Sequence, residues 1–190
     1  MKRALQIFRN GQVLESSLKI PLMPGEQGNL QTLEAMRDVV LEDRLNPYNR
    51  NFVTEYVVGD VPGHDPWGEL EAIFEFARDR IVYREDPFDV ERVLDLYTTL
   101  RGVENDPAFI PEGDCGVKSM FIATCAAILG HKPYFAVIKE SEKDENFSHV
   151  FTAVGISTGE WKYYDATPEW SRPGWHAPAA VTLWFPILGE

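Results

Sequence analysis

Cysteine occurs only twice in the sequence, at positions 115 and 125, too few for a disulfide framework. On one helix the two would stand about 15 Å apart at 1.5 Å per residue, beyond the reach of a disulfide or of one shared zinc ion. Positive charge is short as well: 18 Lys and Arg against 30 Asp and Glu give a net charge of −12. That balance repels phosphate backbones and anionic lipid, so neither nucleic acid nor membrane is an expected partner. Long apolar runs are missing. The apolar stretch that opens at Ala4 is broken by Gln6 and Arg9, too short for a signal-peptide core, and no later segment approaches a membrane span. A cytosolic protein is the expectation. Internal repeats are absent too, and no Asp-rich loop with a glycine turn marks a calcium site. No cofactor or metal is implied, and nothing in the pattern specifies an oligomeric state.

What is present, 44% hydrophobic and 12% aromatic residues over 190 positions, suffices for one sizeable core. The runs ALQIF and VLESSLKI flank Asn10-Gly11, a dipeptide suited to tight hairpin turns. Leu30, Leu33, Met36 or Arg37, and Val40 then recur at helical spacing until Asn46-Pro47. FVTEYVV (52–58) reads as a strand, although its central Glu-Tyr also permits a helix. Asp65-Pro66 supplies a cap and a first-position proline for a helix over 66–82, with Leu70, Ile73, Phe74, Ala77 and Ile81 on one face. Val90, Val93, Leu94, Tyr97 and Leu100 suggest a further short helix, and Gly102–Gly113 reads as loop.

The stretch EGDCGVKSMFIATCAAILGHKP (112–133) places Cys115 where a helix begins. Val117, Met120, Phe121, Thr124, Ala127 and Ile128 mark its buried face, and Gly130 with Pro133 ends it. A cysteine in the first turn sits at the positive end of the backbone dipole, where a thiolate is favoured. Three strand-like runs follow: YFAVIK (134–139), FSHVFTAV (147–154) and WKYYDAT (161–167). If Ala153 or Val154 closes against Trp161, His149 falls opposite Asp165 or Ala166, near enough for a carboxylate to accept from an imidazole N–H. Taken singly, Cys115 is a small core residue, His149 a strand histidine and Asp165 a turn former. Together they supply a nucleophile, a base and an orienter.

In order and rough spacing, GDCGVKSMFIATCAAILG, FSHVFTAV and YYDAT resemble the Cys, His and Asp motifs of the transglutaminase-like superfamily. The likeness covers about residues 66–168 and includes the IVYREDP segment; the first sixty residues and the PGWHAP tail resemble bacterial and prophage-encoded members. The resemblance implies an α+β fold with a papain-like core, in which a cysteine-bearing helix packs on an antiparallel sheet. Residues 61–190 would form that core, with its C-terminal aromatic tail, and residues 1–60 a hairpin-and-helix extension packed on it. It also implies Cys115 as nucleophile, His149 as base and Asp165 as orienter. The backbone N–H of Cys115 would be one oxyanion donor, and an upstream aromatic or amide side chain the second, with Tyr83 and Tyr97 as candidates. Many members carry acidic residues directly after the cysteine, where this chain has Gly116 and Val117.

The expected activity is attack on an amide bond of a peptide or protein substrate through a thioester, with hydrolysis favoured over transfer to an amine. The alternative is a binding or structural module that keeps the fold without the chemistry, as in a phage-related assembly. Cys125 reads as core packing. His131 suits the helix end, and His64 and His176 fall in Pro/Gly-rich loops without assigned chemistry. Trp170, Trp175, Trp184 and Phe185 line either a substrate groove or a core edge, and the acidic SEKDEN loop before His149 is a candidate rim of the cleft.

Overall fold

The computed structural model describes residues 4–8, 18–100, 103 and 108–189. It is an α+β fold with several sheets and helices. The first strands, β1 (Ala4–Phe8) and β2 (Leu18–Pro21), are antiparallel arms in which Ala4 pairs with Pro21 and Ile7 with Leu18. The expected Asn10-Gly11 turn lies outside the described residues. Helix α1 (Glu26–Asp43) ends just short of Asn46-Pro47. That dipeptide also starts the next helix: the Asn46 side chain accepts from Tyr48 N at 3.0 Å and opens α2 (Pro47–Phe52). The helix continues as a π turn (Val53–Val57), so the strand expected over 52–58 is not formed. A capped and proline-initiated helix already in progress carries the β-branched residues with it, and Phe52, Val53 and Val57 are buried on its inner side.

Helix α3 (Pro66–Arg80) matches its expectation, with Asp65 accepting from Gly68 N at 3.0 Å and Leu70, Ile73, Phe74 and Ala77 buried. Beyond it, β3 (Val82–Tyr83) runs parallel to β5 (Glu112–Gly113). The short helix expected through Val90–Leu100 divides in two. Strand β4 (Val90–Leu94) joins β1 in parallel, and α4 (Leu96–Leu100) begins after Asp95, whose side chain accepts from Thr98 N at 2.7 Å. Over five residues the helical and strand periods overlap, and the open edge of β1 decides between them.

Helix α5 (Cys115–Ile128) is the centre of the molecule. The expectation of one buried face is too modest, since every residue from Val117 to Ala127 is buried. One flank meets α3 through Phe121, Ile122, Cys125 and Ala126, and the other meets α1 and β1 through Met120, Ala123 and Ala127. Each large side chain withdrawn here is worth about 1.5–3 kcal/mol of transfer free energy. Behind α5 lies a four-stranded sheet in the order β8-β7-β6-β9, made of β6 (Lys132–Lys139), β7 (His149–Gly155), β8 (Trp161–Tyr164) and β9 (Val181–Pro186), antiparallel throughout. Helix and sheet are locked by reciprocal bonds: Ser119 Oγ donates to Val150 O at 3.0 Å, and Thr152 Oγ1 donates to Ser119 O at 2.9 Å. Among the described residues no helix is long and apolar enough to cross a membrane.

Candidate functional site

Cys115 is the first residue of α5. Asp114 stands before it as the cap, accepting from Val117 N at 3.0 Å. The approach to this start is tight. A Cβ on Gly113 would lie 2.3 Å from Val117 Cβ, so only glycine brings β5 this close to the first turn. Asp114 is largely buried, which raises its carboxyl, as does the charge of Asp86, against the opposing bonds from Val117 and Gly116.

The hairpin that carries the other two candidates closes differently from expectation: Trp161 pairs with Gly155, not with Ala153 or Val154. A Cβ on Gly155 would lie 2.7 Å from the Trp161 indole, so the glycine leaves room for the ring, which packs edge-on against Tyr134 at 5.0 Å. Continued past Tyr164, this register sets Thr167 opposite His149 and leaves Asp165 on the diagonal. Relative to closure at Ala153 this is a slip of two residues, which preserves the face; closure at Val154 would have turned Asp165 away. His149 Nε2 lies 2.8 Å from Asp165 Oδ2.

Asp165 is 1% exposed and held from several directions. Thr167 N donates to Oδ1 at 3.2 Å, Ala177 N donates to Oδ2 at 3.1 Å, and Ser171 Oγ donates to the Asp165 carbonyl at 2.7 Å. Burial would raise this carboxyl, but the bond and charge of His149 and the two backbone donors hold it below the ordinary range. On His149 burial acts in the opposite sense, toward the neutral ring. It is outweighed by the hydrogen bonds and charges of Asp165 and Cys115, and the imidazole is raised to about 10. With Nε2 committed to Asp165, Nδ1 is the ring nitrogen left to face Cys115, whose proximity helps to raise the ring.

Cys115 and His149 line a groove of about 980 Å³, together with Tyr83, Asp86, Glu91 and Asp114. Tyr83 arrives there because β3 sets it beside Gly113. Burial, then the negative charges of Cys115, Asp114, Glu85 and Asp86, raise its phenol. Tyr97 does not line the groove and packs edge-on against Tyr48 at 5.0 Å. Asp86, Glu91 and Asp114 bring carboxylate oxygens within 4.8 Å of one another, a spacing that can hold a cation. Asp86 pairs with Arg92 Nε at 2.7 Å, and Asp114 caps the helix.

The aromatic tail lies elsewhere. None of Trp170, Trp175, Trp184 and Phe185 lines the groove; Trp184 stacks on Tyr163, and Trp170 meets Trp175 edge-on at 4.6 Å. The pairing of β9 with β6 draws this segment along the sheet, and Asn146 is the residue of the SEKDEN loop that reaches the groove wall. Cys125 is fully buried, and burial pushes its thiol well up. His131 pairs with Glu69 at 2.9 Å. Sequence reasoning passed over the backbone donors Thr167 and Ala177, which carry no residue-type signal, and Lys118, which does: it is the one charged residue in the helix CGVKSMFIATCAAI.

No family model matches this sequence, and no curated protein matches it. A solved structure of a putative protease from Parabacteroides distasonis ATCC 8503 is similar over 79% of this chain, at 12% identity and a TM-score of 0.47. This chain spans 28% of that protein.

Proposed function

We propose that the chain is a thiol enzyme of the transglutaminase-like type, with a papain-like core over residues 61–190, that opens amide bonds of a peptide or protein through Cys115, His149 and Asp165. The observation that carries this reading is the His149 ring, hydrogen-bonded to the buried Asp165 carboxylate and lining one groove wall with Cys115 at the start of its helix. In this reading the ring holds the thiol proton, and the raised imidazole keeps it for the departing amine.

Cys115 sulfur attacks the carbonyl carbon, and the carbonyl π electrons move to oxygen. The Cys115 backbone N–H, unpaired within the helix at its first position, donates to that oxyanion, and the Tyr83 hydroxyl is the second donor in this reading. As the C–N bond breaks, His149 gives its proton to the departing amine and leaves a thioester. Neutral His149 then takes a proton from water, hydroxide adds to the thioester carbonyl, and collapse returns the thiolate and the free acid. Asp165 keeps one tautomer throughout. An acyl-enzyme in an open groove is taken by water unless an amine is bound beside it, so hydrolysis is favoured over transfer.

Incubation with a library of amide substrates and an excess of tagged amine tests this. The wild-type chain is expected to release mainly free acid and Cys115→Ala none. Predominant tagged product makes the chain a transferase. No product, together with a Cys115 inert to iodoacetamide, overturns the enzyme reading in favour of a binding module.

A further inference from the structure

Lys118 follows Cys115 by three residues and is 2% exposed, an uncommon setting for an ammonium group. Its Nζ donates to Ala166 O at 2.9 Å and to Arg78 O at 3.3 Å. Charged groups act on it from each element packed around it: Glu169 and Asp165 from the segment after β8, and Asp79 and Arg78 from the end of α3. Burial draws the ammonium below its ordinary range, and these acids oppose that. Ala166 is the residue after Asp165. The bond therefore runs from the helix that begins at Cys115 to the turn that presents Asp165, whereas Thr167, Ser171 and Ala177 hold Asp165 only from its own segment and the tail.

We propose that Lys118 is a positioning residue: its ammonium fastens the Asp165 turn to the Cys115 helix and thereby sets the Asp165 carboxylate against His149 Nε2. The inference rests on the thiol-enzyme reading above. It explains why a buried charge stands in an otherwise uncharged helix, where a methionine of similar length would fill the same space but leave the Ala166 and Arg78 carbonyls without this donor.

The test follows the rate of iodoacetamide labelling at Cys115 from pH 4 to 9, by peptide mass mapping, in the full chain. It compares wild type with Lys118→Met, Lys118→Gln, Lys118→Arg and His149→Ala, and proton NMR of the His149 Nε2–H reads the hydrogen bond to Asp165 directly. Lys118→Met is expected to lose about tenfold at pH 6, the effect of a one-unit change at the ring, and to approach the His149→Ala profile. Lys118→Arg, which keeps charge and donors, restores most of the rate. Should Lys118→Met not fold, Lys118→Gln takes its place against Lys118→Arg. A profile and an Nε2–H resonance unchanged in every folded Lys118 variant overturn the inference. A wild-type profile indifferent to His149→Ala instead overturns the thiol-enzyme reading, so the two failures are separable.

Discussion

Asp165 and Asp43 are two carboxylates withdrawn from water in one chain, 1% and 5% exposed, and they end in opposite electrostatic states. Each accepts from the backbone: Asp165 from Thr167 and Ala177, Asp43 from Leu96 N at 2.7 Å. Each also has a side-chain donor, His149 for the first and Asn49 Nδ2 at 3.1 Å for the second. Burial pushes both carboxyls up. At Asp165 the imidazole overcomes it and the group stays ionised. At Asp43 the charges that act are those of Asp95 and Glu42, and the carboxyl is raised to about 7. Burial and hydrogen-bond count therefore do not separate a candidate active-site acid from a structural one. The cationic neighbour does, because it alone can also move a proton.

The strongest way to break the comparison is to make the same isosteric change at both positions. Asp165→Asn is expected to lower amide turnover by about 10³–10⁴-fold, since an amide no longer fixes the tautomer that points the free ring nitrogen at sulfur. Asp43→Asn is expected to leave turnover at the wild-type level. Equal losses at the two sites would show that Asp165 matters only as a buried structural group.

The next effect is on stability, and its sign reverses between the sites. A depressed carboxyl contributes stability above its unfolded value of about 3.9 and loses it as pH falls through the folded value. His149, raised to about 10, contributes fully below about 6.5 and loses that as pH climbs through the folded value. The Asp165–His149 pair thus supports the fold across the neutral range. A raised carboxyl acts the other way: between about pH 4 and 7 the unfolded chain has already released the Asp43 proton while the folded chain retains it, so stability falls as pH rises. At about 1.36 kcal/mol per unit the loss is at most about 4 kcal/mol. Urea unfolding of wild type and Asp43→Asn at half-unit steps should show the variant gaining on wild type from pH 4 to 7 and the difference then levelling. Parallel curves would mean that Asp43 is solvated and titrates normally.

Much of this site was readable because its signals are local. A glycine and a capping acid directly before Cys115 placed the helix start, and Asp114 does accept from Val117 N. Of the two closures considered, Ala153 against Trp161 puts His149 and Asp165 on one face and Val154 against Trp161 does not; the closure observed at Gly155 has the parity of the first. What escaped depends on distant partners. The edge of β1 turns Val90–Leu94 into a strand, and β6 recruits the tail as β9. No window of sequence around those segments contains the group that decides them.

The smallest expected effect sharpens the comparison by disturbing one site through its backbone alone. Gly155→Ala would set a methyl where the Trp161 indole now lies, and the ring, which also packs on Tyr134, has to yield. Overpacking of this kind costs about 1–3 kcal/mol. The displacement is carried by β8, whose four residues end at Tyr164, directly before Asp165. The hydrogen bonds that hold Asp43 come instead from α2 and the start of α4. Labelling of Cys115 at pH 6 should therefore fall severalfold in Gly155→Ala, while the pH dependence attributable to Asp43, taken as the difference from Gly155→Ala/Asp43→Asn, stays as in wild type. A lower midpoint in urea with unchanged Cys115 labelling would mean that the Gly155–Trp161 register does not govern the His149–Asp165 geometry, and that the tail donor Ala177 and the Ser171 hydroxyl hold the aspartate by themselves.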